Sequence, residues 1–279
     1  MFILFVVVFL LAAAAAYLYV QHQSFNSVIW AEVREMAGDP PQSLEAVVDA
    51  ASLPAPMQRY IAYSNPDGRA PATFARMQHS GTFRRSADEA WLQIRGEQYY
   101  ETSEPAFVWA ATMKTGRLLW VRGRDKYIGG KGHMLIRLLS AFPIVDASGP
   151  EMDQSTLLRY ISEMPWFPTA FLTVPGITYT AVDDNTVELK VVHGESTVSG
   201  RFTIDAEGAI TEFHTEDRYR EMDGQMLRLP WYCVYNKYEE KGGLRIPVTG
   251  KVAWQMPKGD LTYARFFIER MEYDIPAPF

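Results

Sequence analysis

The spacing of hydrophobic residues changes twice along the chain, and each change marks a different kind of element. Residues 1–20 contain no charged residue, Pro or Gly. Twenty helical residues cover about 30 Å, the thickness of the hydrocarbon core of a bilayer, so this segment predicts a transmembrane helix. Residues 21–70 have the pattern of short helices separated by breaks such as Asp39-Pro40-Pro41, which predicts a helical stalk or connector.

Beyond residue 71 apolar and polar residues alternate in short runs, which predicts β-strands. The alternation is clearest at Val187, Leu189 and Val191. Turn residues follow the runs so closely that antiparallel hairpins are expected, because parallel strands need long crossovers. The predicted strands begin near residues 74, 90, 106, 118, 177, 187, 198, 209, 228, 245 and 261.

Two segments interrupt the strands and are expected to cover the sheet. Residues 153–164 have apolar residues at helical spacing behind a candidate N-cap, Asp153, and residues 133–142 form a compact apolar run. The predicted fold is therefore mainly β (α+β). It is a curved antiparallel sheet or half-barrel over residues 71–279, covered by these two inserted helical segments and preceded by one N-terminal transmembrane helix.

The apolar segment at residues 1–20 has two interpretations. The run Ala12–Ala16 could hold the cleavage site of a signal peptide, but the basic n-region is missing and the apolar stretch is too long. We favour an uncleaved anchor in the lipid bilayer, with the following domain on the periplasmic or extracellular side. Neither flank carries a cluster of Lys or Arg, so charge does not set the orientation.

Composition narrows the class of function. The net charge of -6 argues against nucleic acid as a partner. Cys233 is the only cysteine, and the five His lack the spacing of a zinc motif, so we expect neither a disulfide nor a metal or other cofactor. The run Gly129–Gly132 lacks the Ser or Thr that follows Lys in a phosphate loop, and predicts a turn. No recognisable catalytic motif is present.

Two sets of side chains are candidates for a site. Aromatic residues could line an apolar pocket or could simply fill the space under the helical cover: Trp109, Trp120, Trp166, Phe167, Phe171 and Trp254. The polar set is Asp146, Glu151 and Asp153. Their carboxylates could bind a hard cation or act as an acid–base pair, or could cap the helix and pair with arginines. Residues 114–137 hold seven Lys or Arg, which indicates a solvated strand face or a surface for lipid head groups.

Residues 95–172 resemble a bacterial family of unknown function. The residues that carry the similarity are Glu97–Tyr100, Pro105–Trp109, Asp125–Gly130, Val145–Glu151 and Trp166–Ala170, with further matches at Pro230-Trp231, Arg245–Pro247 and Val252–Trp254. The resemblance covers nearly all of the chain beyond the anchor and implies no activity. The arrangement of strands and helix also resembles the half-barrels of lipoprotein carriers, which bind acyl chains under a helical lid.

The sequence therefore predicts a membrane-anchored module that binds a lipid or other apolar ligand between the sheet and its cover. The alternative is a non-catalytic accessory or assembly subunit of a larger membrane complex. Such a subunit could contact integral-membrane partners through the small residues Ala12–Ala16. An enzyme that uses Asp146 and Glu151 is the least favoured class.

Overall fold

The computed structural model describes residues 1–38, 43–116, 119–222 and 224–279. The break at 39–41, the strand start at 118 and part of the turn at 223–224 lie outside these ranges. The helices are α1 (Phe2–Ala37), α2 (Ala55–Ser64), α3 (Pro150–Glu163) and α4 (Ala170–Thr173), with 3₁₀ turns at Ala50–Ser52 and Met164–Trp166. The strands are β1 (Phe74–Phe83), β2 (Leu92–Glu101), β3 (Ala106–Thr115), β4 (Leu119–Ile128), β5 (Lys131–Leu138), β6 (Phe142–Ser148), β7 (Ile177–Ala181), β8 (Thr186–His193), β9 (Ser196–Ile204), β10 (Ile210–Met222), β11 (Gln225–Lys241), β12 (Leu244–Trp254) and β13 (Leu261–Tyr273).

All thirteen strands form one antiparallel sheet, in the order β6-β5-β4-β3-β2-β1-β13-β12-β11-β10-β9-β8-β7. The first strand pairs with the last, so two meanders join into one sheet. Helix α3 contacts β5 and β10, which are far apart in this order. One helix can reach both strands only because the sheet curls, and the curled sheet is a half-barrel with α3 inside it. The prediction of a mainly β, antiparallel half-barrel is confirmed.

The sheet has a large core on its inner face and a smaller one on its outer face. Side chains of a strand alternate between faces, and β3 shows this directly. Phe107 and Trp109 belong to the inner core, whereas Val108 and Ala110 belong to the outer core. Helices α2 and α3 pack on the inner side, and α1 packs on the outer side.

Helix α1 is continuous, and only its second half is buried. Among the described residues it is the one helix long and apolar enough to cross a membrane, and none of the residues in its most apolar 18-residue stretch is buried. Glu32 pairs with Arg124 Nε at 3.0 Å and with Lys126 Nζ at 2.9 Å, both on the outer face of β4. Residues at a four-residue spacing bury one side of the helix: Phe25, Ile29, Val33 and Ala37.

The stalk expected over residues 21–70 is therefore part of the folded body. The second half of α1 lies on the outer core, and α2 buries Met57 and Tyr60 in the inner core. The sequence pattern identified the helices but not their contacts, because the surfaces that cover them come from strands far away in the chain.

The prediction of a helical segment at residues 133–142 is wrong. Most of this run is β5, followed by the turn into β6. Leu135 packs in the outer core, while Met134 lines the space under α3 on the inner face. Because both faces of β5 are covered, its middle residues Met134–Ile136 are apolar on both faces, and the strand loses the alternation typical of a half-exposed strand.

Helix α3 is the single long inserted cover, and it begins earlier than predicted. Gly149 occupies the N-cap, so the prediction of Asp153 as N-cap is wrong. Asp153 lies in the first turn instead, where its carboxylate accepts a hydrogen bond from the Gly132 backbone N–H at 2.7 Å. The predicted apolar face is confirmed, with Leu157, Leu158 and Ile161 buried.

Helix α3 touches the backbone of β5 at Gly132. A Cβ atom at this position would lie 2.2 Å from Thr156 Oγ1 and 2.6 Å from the Met152 carbonyl oxygen, so no other residue fits. Gly129 and Gly130 have φ angles of 56° and 80° and form the β4–β5 hairpin turn. The glycine run is therefore a turn, as predicted, although it joins two strands and not a strand to a helix.

Arg159 fastens the middle of α3 to the inner face. Its Nη1 lies 2.8 Å from Asp125 Oδ2 on β4, and its Nε lies 2.8 Å from Glu163 Oε1 on α3. Its Nη2 donates to Gln98 Oε1 at 3.1 Å. The side chains of Arg159, Asp125 and Glu163 are only 13%, 10% and 11% exposed, so this is a buried ion network.

Replacing Arg159 by Met is expected to destabilise the protein by about 3–5 kcal/mol, because two buried carboxylates lose their cation. Urea unfolding of the full chain in detergent measures the change. The control is Arg201→Met, whose exposed pair with Glu188 at 3.1 Å should contribute less than about 1 kcal/mol. Equal effects of the two substitutions would contradict the assignment of Arg159 as the fastening residue.

Candidate functional site

A cavity of about 160 Å³ lies between α3 and the inner face of the half-barrel. Its floor follows the sheet register: Phe83 of β1 pairs with Ala264 of β13, Ala264 with Val252 of β12, and Val252 with Cys233 of β11. Residues paired in this way share one face, so the row forms a continuous floor. The aromatic side chains that line the cavity are Phe83, Trp109, Trp166, Trp231, Tyr235, Tyr263 and Phe266.

A second, more open compartment of about 430 Å³ adjoins this inner one. Met226, Trp254 and Arg220 contribute to its wall. The two compartments share lining residues, which makes them parts of one pocket with an inner end and a mouth: Phe83, Asp125, Met134, Arg159, Arg218 and Tyr263. We call the two parts the inner compartment and the outer compartment.

The outer compartment lies at the rim of the half-barrel from which the first half of α1 projects. Residues 15–22 of α1 lie beside Lys114 and Trp120, which pair with each other at the ends of β3 and β4. Lys114 is opposite Gln93 of β2, one position from Leu92, the partner of Phe83. We call this end of the sheet, where β1, β3, β5 and β10 end, the α1 rim.

The pocket contains charged groups as well as aromatic rings. Burial raises the pKa of Asp125 against the opposing attraction of Arg159. Glu163 accepts hydrogen bonds from Gln98 Nε2 at 2.6 Å and from the Tyr100 hydroxyl at 3.1 Å, in addition to its bond with Arg159. These bonds join the sheet to α3 and hold the helix in place, while Asp125 Oδ1 is buried without a hydrogen-bond partner in the described part of the chain.

Arg218 lines both compartments and has no carboxylate partner among the described residues. Its guanidinium carbon lies 4.0 Å from the ring centroid of Trp231 and 5.8 Å from that of Trp254. Its Nη1 is shielded from solvent and has no hydrogen-bond partner in the described part of the chain. Arg220 lies 5.7 Å from the Trp254 ring and donates to the Arg85 carbonyl oxygen at 3.1 Å.

The structure separates the predicted aromatic set into four groups, of which the fourth is Trp120 alone. Trp109 and Trp166 line the inner compartment, and Trp254 lines the outer one. Phe167 and Phe171 are fully buried and do not line the pocket, since they pack among the rings of the core.

Trp120 lies outside the pocket altogether. It is on the outer face beside α1, and its Nε1 donates to Ser140 Oγ at 3.1 Å. The next residue, Val121, packs against the inner core, so alternation along β4 directs Trp120 to the opposite side. Trp120 is therefore not part of the aromatic wall.

The acidic residues Asp146, Glu151 and Asp153 do not form one cluster. Asp146 pairs with His133 Nε2 at 2.7 Å, and Asp153 pairs with Lys131 Nζ at 3.1 Å. Glu151 lines the outer compartment. Nowhere in the described ranges do three or more His, Cys, Asp or Glu side chains come together as a metal site would require.

The basic residues of β4 do not form a solvated face. Arg124 is buried and pairs with Glu32 of α1, and Arg122 Nη2 donates to Asn26 Oδ1 at 3.1 Å. The expectation of a solvated face is wrong because α1 covers this side of the sheet. Alternation could have revealed a related feature: with Arg122 and Arg124 on one face, Asp125 must point to the other, into the pocket.

Cys233 should be unreactive in the folded protein. The thiol is buried in the cavity floor, and burial raises its pKa to about 12, so almost no reactive thiolate exists at pH 8. Maleimide labelling followed by mass spectrometry should show no adduct in buffer and complete labelling in urea. Rapid labelling of the native protein would mean that the cavity floor is open to water.

His79 should make stability depend on pH. Burial, and secondarily Arg159, lowers its pKa to about 3, and Trp109 Nε1 donates to its Nε2 at 2.8 Å. The unfolded chain binds this proton below about pH 6.5 and the folded chain does not, so stability falls as pH drops from about 6.5 towards 3, by up to about 1.4 kcal/mol per pH unit. Urea unfolding at pH 7 and pH 5 should show a smaller loss for His79→Gln than for the wild type. Equal losses would contradict a neutral His79.

Comparison with known proteins gives one sequence family and several solved structures of distant similarity. No curated protein matches it in sequence. The LolA superfamily protein of Nitrosomonas europaea has 11% identity and a TM-score of 0.43, over 81% of this chain and 94% of that one. A lipoprotein-sorting protein domain of Vibrio parahaemolyticus has 9% identity and a TM-score of 0.43, over the same shares. A family model matches residues 42–266, and the chain belongs to that family, the family of unknown function DUF6544.

Proposed function

We propose that this protein is a membrane-anchored module that binds a lipid or another apolar ligand in the pocket between the half-barrel and α3. One observation carries the proposal: the aromatic-lined pocket has its outer compartment at the same rim from which the apolar half of α1 projects. A ligand that leaves a bilayer beside α1 would meet the outer compartment first. We expect the folded body to lie on the periplasmic or extracellular side.

The exposed surface of α1 supports the anchor. Large apolar side chains are exposed along the whole of residues 2–11, which is costly in water and favourable in lipid. Leu119 and Phe142 are 48% and 50% exposed where β4 and β6 begin, on the α1 rim. A bilayer around residues 1–20 would bring both side chains close to the lipid interface.

The inner compartment gives a reason for binding an apolar molecule. Most of its lining is apolar, and moving an apolar ligand from water onto such walls is favourable by about 25 cal/mol for each Å² of apolar surface buried. Aromatic walls with a few polar groups are typical of sites for apolar ligands. The ionisable groups under α3 are already paired with one another, which favours binding over catalysis.

The test is lipid analysis of the full chain after gentle extraction from its own membrane, together with native mass spectrometry. We expect about one acyl-chain species per protein. Ala264→Phe, which adds a ring to the cavity floor, should reduce that content several-fold, while Thr180→Phe on the exposed edge strand β7 should not. Retention of the species in Ala264→Phe would exclude the cavity as its site.

The same experiment tests the alternative of an accessory subunit. The side chains of Ala12–Ala16 are exposed and small, so another membrane helix could pack closely there. A lipid-free protein that extracts together with other membrane subunits would contradict the binding module and support the accessory role.

A further inference from the structure

Arg218 carries a positive charge that the described part of the chain leaves without a partner. The guanidinium lies over the Trp231 ring and within 5.8 Å of the Trp254 ring centroid, and its Nη1 is shielded from solvent without an acceptor in the described part of the chain. A buried donor with no acceptor costs about 1–3 kcal/mol, more when it is charged. An acceptor supplied by a ligand would remove that cost, so the position favours a ligand with a polar oxygen at this point of the pocket.

No carboxylate in the described part of the chain lies within ion-pair distance of Arg218, so an anionic oxygen of a ligand could pair with it directly. Asp125 and Glu163 face it within the pocket; both are bonded to Arg159, and Asp125 Oδ1 has no hydrogen-bond partner among the described residues. In the outer compartment Arg85 pairs with Glu89, while Arg84 and Arg220 donate to backbone carbonyl oxygens. The remaining acidic groups of the outer compartment are Glu151 and Glu221, against the three arginines without a carboxylate partner among the described residues: Arg84, Arg218 and Arg220.

The surroundings of Arg218 also define where an apolar chain could lie. Trp231, Cys233 and Ala264 line the inner compartment beside it, and the charged residues that line it besides Arg218 are Asp125, Arg159, Glu163 and Lys251. Arg218 lines both compartments, so an oxygen bound to it would lie where they meet. An apolar tail attached to it would extend inward, because the outer compartment is the open and more polar side.

We infer that the ligand is an acyl lipid with an anionic head, whose carboxylate or phosphate oxygens accept hydrogen bonds from Arg218 while its chain occupies the inner compartment. This inference rests on the proposed function and specifies its ligand class. The planar guanidinium matches both kinds of head group, because each presents two oxygens to its fork of N–H donors. The Trp231 ring, 4.0 Å from the guanidinium carbon, holds that fork in place.

The experiment compares palmitate with hexadecanol, which has the same chain length and an uncharged head. The full chain is delipidated in a detergent without acyl chains, and binding of each radiolabelled probe is measured. We expect palmitate to bind at least about tenfold more tightly, the value of one charge-assisted hydrogen bond. Palmitoyl lysophosphatidate as a third probe distinguishes a phosphate from a carboxylate head.

The variants assign the preference to Arg218. Arg218→Gln should reduce palmitate binding about tenfold and leave hexadecanol binding unchanged, so the preference disappears. Arg218→Lys should keep part of it, because the charge remains without the planar fork. Arg201→Gln, on the exposed face of β9, is the matched control and should behave as the wild type.

Stability distinguishes ligand binding from a structural role for Arg218. If Arg218 acts on the ligand, the ligand-free Arg218→Gln variant should melt no lower than the wild type, because the substitution removes a buried charged donor without an acceptor. The variant should lose the increase in melting temperature that palmitate produces. A lower melting temperature with unchanged palmitate preference would overturn the inference. Equal binding of palmitate and hexadecanol by the wild type would also overturn it and leave the proposed function standing, whereas no binding of either probe would contradict both.

Discussion

The pairing of Arg159 with Asp125 and Glu163 is the interaction on which the interior of this protein depends. A buried guanidinium is tolerated only with carboxylates in good geometry, and its rigid fork accepts them in few arrangements. One carboxylate comes from the sheet and the other from the next turn of α3. The network therefore fixes the distance between α3 and the inner face of the sheet. The cavity beside Arg159 exists because the helix is held at that distance and cannot pack directly against the sheet.

The same interior combines close contacts with open space. Helix α3 approaches β5 closely at Gly132, where there is room for no side chain, and it also contacts β9 and β10. At its C-terminal end the Tyr235 hydroxyl of β11 donates to the Ser162 carbonyl oxygen. The inner compartment is the space that these contacts leave between the helix and the aromatic floor of β11 to β13.

Much of the fold could be predicted from the sequence, and the reasons for the failures are physical. Strands covered on one face, such as β8, alternate and were predicted correctly, whereas β5 is covered on both faces and resembles a helical insertion. Of the aromatic candidates, Trp109, Trp166 and Trp254 line the pocket, but composition could not separate them from the core rings Phe167 and Phe171. Arg218 was missed because a register irregularity between Thr215 and Arg218 breaks the alternation that would show which face it occupies.

The continuity of α1 has a mechanical consequence. The helix runs without a break from its free apolar half onto the outer core, where Glu32 and three apolar turns clamp it. A helix of 36 residues is about 54 Å long. No Pro or Gly interrupts it, so it lacks the residues at which helices usually kink. The half-barrel therefore cannot rotate independently of the apolar half of α1. The orientation of the outer compartment is consequently set by the membrane or protein that holds the first twenty residues.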